Sequence, residues 1–94
     1  MPEESAAHKM PSLHDAYRAH ERIRPLIWET PLWACADLAR KTGARSVHLK
    51  LECLQHTGAF KVRGAANKIL GLSAAERQKG VATFSTGNHG KAVA

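Results

Sequence analysis

The chain has 94 residues, of which 44% are apolar and 23% charged, with a net charge of +6. That balance excludes a disordered or collagen-like chain, and no apolar run reaches the ~18 residues of a membrane span. A chain of this length buries roughly 60–65% of its unfolded surface, so any core is thin.

Residues 1–11, MPEESAAHKMP, carry acids and lack an apolar centre. They read as a loose tail and not as a secretion signal, which points to a cytoplasmic chain. Ser12 to Asp15 has the S-x-x-D form of a capping box, and Leu13, Ala16, Tyr17, His20 and Ile23 then recur at helical spacing. Pro25 ends that helix, because the residue before a proline disfavours helical backbone. RPLIWETPLW, with two prolines, reads as an extended crossing segment, and ACADLARKTG as a short helix stopped by Gly43.

SVHLKLE alternates, with Val47, Leu49 and Leu51 on one face and His48, Lys50 and Glu52 on the other; this predicts a strand with one covered face. CLQHTG reads as loop. From Ala59 to Leu70 the pattern is helical, with Phe60, Ala66, Ile69 and Leu70 facing inward and Gly71 as the stop. Ser73 and Glu76 form a second capping box, opening the helix AAERQK. GVATFST, apolar and rich in β-branched residues, predicts a second strand, GNHG a turn, and KAVA the start of another helix. Strands alternating with helices favour a parallel sheet with right-handed crossovers. Two strands cannot complete such a sheet, so residues 12–94 read as the N-terminal part of a longer α/β protein. No internal repeat is present.

The remaining composition is uninformative by comparison. Cys35 and Cys53, in a chain without a secretion signal, read as reduced thiols. The six histidines form no H-x-x-x-H or H-E-x-x-H pair, so no metal is expected. The basic residues are scattered, and Arg18, Arg22 and Arg24 fit a solvated helix face as well as an anionic partner. Without aromatic interleaving to stack bases, no nucleic-acid partner is expected.

Two stretches carry chemistry. In QHTGAFKVRG, Lys61 sits among small and apolar neighbours, between Gly58 and Gly64, where a helix begins. Burial, a helix N-terminus and the nearby Arg63 would all disfavour its charged form. A neutral lysine amine condenses with aldehydes, pyridoxal phosphate among them. A lysine reaching from a helix face to solvent fits the same residues. In FSTGNHG, Ser85, Thr86, Gly87, Asn88 and His89 occupy a turn from a strand end into a helix start. Free N–H groups, hydroxyls and an amide there suit a carboxylate or phosphate, and they are also ordinary capping residues. The two stretches lie one crossover unit apart, so adjacent parallel strands would open both on one sheet edge.

With both stretches in view, the sequence resembles the fold-type II pyridoxal-phosphate enzymes, and within them the threonine/serine dehydratase branch. HDAYRAHERIRPLIWETPL and ETPLWACADLARKTGARSVHLKLE are similar to the family's opening. QHTGAFKVRGAANKI resembles its S-F-K-x-R-G-A signature around the Schiff-base lysine, and GVATFSTGNHGKAVA its S-x-G-N-H loop. Val62 and His89 favour the dehydratases over cysteine-synthase-like relatives, which carry K-D-R and a threonine after G-N. Ala59 departs from the usual serine, and Gly90 is similar to the dehydratase-like enzymes assigned to hydroxyectoine breakdown.

The resemblance implies an α/β fold of the tryptophan synthase β type, present here as a truncated parallel strand–helix–strand unit with N-terminal helices. It implies pyridoxal 5'-phosphate as cofactor. Lys61 would be the catalytic lysine that holds it, with Phe60 packed near it and Asn88 on its ring hydroxyl. Ser85, Thr86, Gly87 and His89 would line the site of the substrate carboxylate. The implied reaction removes water from a small hydroxy amino acid of the threonine or serine type, giving a 2-oxo acid and ammonia. An amino-acid racemase of the same fold and a small basic binding module are the alternatives. The full-length form is expected to be a soluble homo-oligomer without a membrane partner. The family's phosphate-binding glycine loop and the group facing the pyridine nitrogen have no counterpart in these residues, so the isolated chain is expected to be inactive.

Overall fold

Ser12 starts the first helix as its sequence predicts. Its hydroxyl accepts from the Asp15 N–H at 3.1 Å, and the Asp15 carboxylate accepts from the Ser12 N–H at 2.7 Å. Both hydrogen bonds satisfy N–H groups that a helix start otherwise leaves free. In a computed structural model that describes residues 9–94, this helix, α1, spans Leu13–Ile23 and gives way to a 3-10 turn at Arg24–Leu26. Of the tail expected over residues 1–11, residues 1–8 lie outside the described residues.

The crossing segment leads into a short strand, β1 (Leu32–Ala34), and then α2 (Ala36–Thr42). Gly43 stops α2 with φ at 73°, a left-handed backbone that glycine adopts without a Cβ clash. β2 (His48–Lys50) returns antiparallel to β1, pairing Leu32 with Lys50, Trp33 with Leu49 and Ala34 with His48. The Cys35 N–H to Val47 carbonyl bond (2.8 Å) and the Leu51 N–H to Pro31 carbonyl bond (3.0 Å) extend the ladder at both ends. Val47, Leu49 and Leu51 are half-buried while His48 and Lys50 are exposed, as the alternation predicts.

After two 3-10 turns, Glu52–Leu54 and His56–Gly58, come α3 (Lys61–Leu70), α4 (Ala74–Lys79) and α5 (Asn88–Val93). The Ser73/Glu76 capping box forms at the start of α4. α3 packs against α1 on one side and α5 on another, and α5 also touches the His56–Gly58 turn. Among the described residues no helix is long and apolar enough to cross a membrane.

Three sequence expectations need correction. GVATFST forms no strand: residues 81–85 have no regular structure, and the sheet among the described residues holds only β1 and β2. The expected parallel strand–helix–strand pairing is therefore replaced by an antiparallel pair. β-branched composition favours extended backbone, but a strand exists only where a partner supplies hydrogen bonds, and no described residue pairs with this segment. The inward face of α3 is also displaced. Ala65 is its buried residue, Ala66, Ile69 and Leu70 are half-buried, and Phe60 is 60% exposed. Finally, Lys61 is exposed, not buried among its apolar neighbours, because it opens α3 on an uncovered side.

The core is correspondingly thin. Ile23 and Ala65 are its buried apolar residues among those described, whereas Leu32, Trp33, Trp28 and Phe84 are each more than half exposed.

Candidate active site

Lys61 is the first residue of α3. Phe60, at the N-cap, has no side-chain acceptor, so the helix starts without a side-chain cap. The backbone just before it is tightly turned: Thr57 and Gly58 both take left-handed conformations, with φ at 66° and 79°. For threonine that conformation is strained, and surrounding structure must hold it. The Lys61 Nζ stands 5.6 Å from the centre of the Phe60 ring, within cation–π range.

Arg63, in the first turn of α3, belongs to a polar network. Arg63 donates from Nε to Glu52 Oε1 and from Nη2 to Glu52 Oε2, the latter at 3.0 Å. The same Oε2 accepts the Thr30 hydroxyl at 2.5 Å, and Lys50 Nζ donates to the Thr30 carbonyl. Thr30 is only 4% exposed. The Arg63 guanidinium holds the Glu52 carboxyl down at about 2; partial burial works against it, and the Thr30 hydroxyl and the charges of Arg63 and Lys50 add to it. Glu52 in turn raises Arg63 further above its usual range. Arg63 is thus a compensated charge, and not the free cation beside Lys61 that the sequence implies.

A second clamp lies next to it. Gln55, 3% exposed, accepts from the Trp28 N–H at 2.9 Å and donates to the Trp28 carbonyl at 2.8 Å. Its amide thereby pairs with Trp28 as a neighbouring strand would. The Trp28 and His56 rings pack against each other, tilted by 38°, with centroids 3.8 Å apart. Across the helix pair, Arg22 donates to Asn67 at 2.7 Å. Thr30 and Gln55 escape sequence reasoning, because each acts alone, at no periodic spacing and outside any motif.

The residues of FSTGNHG lead into and open α5. Asn88 and His89 form its first turn, and Ser85, Thr86 and Gly87 lead into it. The Gly87 N–H donates to the Ser85 hydroxyl at 3.2 Å. A Cβ on Gly90 would lie 3.5 Å from the Ser85 Cβ, so the loop folds back closely on the helix. α5, which this loop enters, packs on α3 and on the His56–Gly58 turn. All five positions from Ser85 to His89 are exposed. A cleft of about 730 Å³ is lined by Arg24, Trp28, Lys50 and Arg63 among others; Lys61 does not line it.

An accessible amine with an exposed aromatic ring beside it, and a loop of hydroxyl, amide and N–H donors entering the helix that packs on α3, fit an aldehyde-bearing anionic aromatic group. A family model described as pyridoxal-phosphate dependent enzyme matches residues 23–94. The chain belongs to that family. Its fold is of the fold-type II class, and pyridoxal phosphate is the cofactor of the family.

Within this pyridoxal-phosphate enzyme family, the chain is 49% identical over 80 residues to a β-hydroxyaspartate dehydratase of Paracoccus denitrificans, covering 85% of this chain and 25% of that protein. It is 49% identical over 75 residues to a serine racemase of Arabidopsis thaliana, covering 80% and 22%. The crystal structure of serine racemase from Dictyostelium discoideum aligns with a TM-score of 0.79 at 43% identity, over 87% of this chain and 26% of that one. The chain thus spans about a quarter of the length of the curated relatives it matches.

Proposed function

We propose that Lys61 is the residue through which pyridoxal phosphate is held, and that the polypeptide to which these residues belong removes water from a 3-hydroxy amino acid, giving a 2-oxo acid and ammonia. One observation supports this reading: a solvent-open lysine opens α3, the helix on which α5, entered by the Ser85–Gly87 loop, packs. Because the chain spans about a quarter of its relatives, the rest of the site is proposed to come from further polypeptide.

Bound pyridoxal phosphate supplies an electron sink for the charge left at the substrate Cα when its proton departs. In that setting the Lys61 amine, once neutral, takes up the Cα proton. Phe60 bounds the cofactor side of the amine. The Asn88 amide offers two donors and an acceptor, which suits a ring hydroxyl. The Ser85 and Thr86 hydroxyls, the Gly87 N–H and His89 would receive the substrate carboxylate and orient the amino acid.

The second reading is racemisation, favoured by the serine racemase relative, which matches as closely as the dehydratase. Both reactions begin with loss of the Cα proton and diverge at the next step: departure of the hydroxyl, or return of a proton to the opposite face. Incubating the full polypeptide with L-threonine, L-serine and 3-hydroxyaspartate, and measuring keto acid and D-amino acid separately, decides between them. Dominant keto-acid release supports the dehydratase; a D-amino acid without keto acid supports the racemase.

A further inference from the structure

We infer that Glu52 is a positioning residue for Lys61: through Arg63 it fixes the first turn of α3, and with it the place of the amine. The inference rests on the reading of Lys61 as the cofactor lysine.

Helix starts in this chain differ. α1 and α4 each begin with a capping box, Ser12 with Asp15 and Ser73 with Glu76, which closes the helix start from within. α3 has neither part of that device. Phe60 stands at its N-cap, and Arg63 stands at the third helical position, where the boxes of α1 and α4 carry an acid. A cation in the first turn faces the positive end of the helix dipole, which is unfavourable. Locally, then, the sequence works against a helix starting at Lys61.

Glu52 reverses that balance from outside the helix. It receives both guanidinium bonds of Arg63, and its side chain is only 16% exposed. The Thr30 hydroxyl on Oε2 keeps the carboxylate from swinging away, and Thr30 is itself buried and tied to Lys50. A bidentate carboxylate–guanidinium pair fixes direction as well as distance. Arg63 lies two residues from Lys61 on the same helical turn, so fixing the one fixes the backbone of the other. The strained turn at Thr57 and Gly58 then has a fixed end to close against. Glu52 also leaves Arg63 electrically compensated, which spares the neighbouring amine an extra positive field.

The test uses the full polypeptide carrying these residues, loaded with pyridoxal phosphate. Borohydride reduction followed by peptide mapping reads the rate of labelling at each lysine, with Lys79 and Lys91 as internal references. A pH titration of the cofactor absorbance reads the protonation midpoint at Lys61. Glu52→Gln should slow labelling at Lys61 about tenfold relative to Lys79, since small misplacements of a reacting group carry penalties of that order. It should also lower the midpoint, because Arg63 is left uncompensated. Arg63→Lys, which keeps the charge but loses the fork, should slow labelling and leave the midpoint in place. Thr30→Val, which keeps the ion pair, should slow labelling by about two- to threefold and covers the case in which Glu52→Gln does not fold. Unchanged labelling and midpoint in Glu52→Gln, or a loss shared equally by Lys79 and Lys91, overturns the inference. Absence of Lys61 labelling in the unsubstituted protein overturns the proposed function itself.

Discussion

Arg63 reaches back eleven residues and grips the carboxylate of Glu52 with two of its guanidinium nitrogens. This pair joins the start of α3 to the 3-10 turn that follows β2, and Thr30 extends it to the segment before β1. In a structure with so little apolar core, this polar junction ties three separate segments together.

The ion pair carries an acid signature. The Glu52 carboxyl is depressed from 4.5 to about 2. A depressed carboxyl stabilises the fold fully above its unfolded value and ceases to do so as pH falls through its folded value. Stability should therefore be flat with respect to this group above about 4.5 and decline between about 4.5 and 2. Glu52→Gln should remove that part of the decline in an acid titration followed by circular dichroism. At neutral pH it should lower stability by about 1–2 kcal/mol, because Arg63 loses its counterion in a half-buried site.

Gln55→Ala should be among the more damaging single changes. Its buried amide satisfies both backbone polar groups of Trp28. Removing it leaves two groups unpaired, at about 1–3 kcal/mol each. Denaturant unfolding should register the loss. Trp28 emission should change as well, since the His56 ring packed against it is held through the same residue.

The capping boxes should respond individually. Ser73→Ala removes the acceptor for the Glu76 N–H and should destabilise α4 by about 1 kcal/mol. Ser12→Ala should do the same to α1. Hydrogen exchange of the first-turn amides of each helix is the direct measurement, and each effect should stay within its own helix.

Residues 1–94 made alone should associate. Leu32, Trp33 and Phe84 are 65%, 57% and 99% exposed, and apolar surface on that scale seeks a cover. Sedimentation velocity should detect oligomers or aggregates, and Phe84→Asp together with Trp33→Lys should reduce them. Mixed with pyridoxal phosphate and threonine, this piece should release no keto acid. A sharp monomer that unfolds cooperatively would count against the exposed face being an unfinished interior.

What was legible in the sequence was local. Both capping boxes span four residues, Gly43 marks its own helix stop, and the alternation from Val47 to Leu51 sets a covered face; each needs only near neighbours. The strand expected at GVATFST needed a partner, and composition cannot supply one. Lys61 was readable as a chemical oddity through its motif, but its exposure depends on what packs over α3. The clamp residues were the least legible. Thr30, Glu52 and Gln55 act through side chains distant in sequence, and nothing in their immediate surroundings sets them apart from ordinary polar residues.

The central claim concerns one amine, and it can be put to the protein directly. Reduce the complete, cofactor-loaded polypeptide with borohydride, digest it, and locate the added pyridoxyl mass. The account predicts that mass on Lys61, within the peptide running from Leu51 to Arg63, and its disappearance together with the visible absorbance in Lys61→Ala. Stoichiometric label on Lys50, Lys68 or Lys91, with colour and turnover intact in Lys61→Ala, would contradict it.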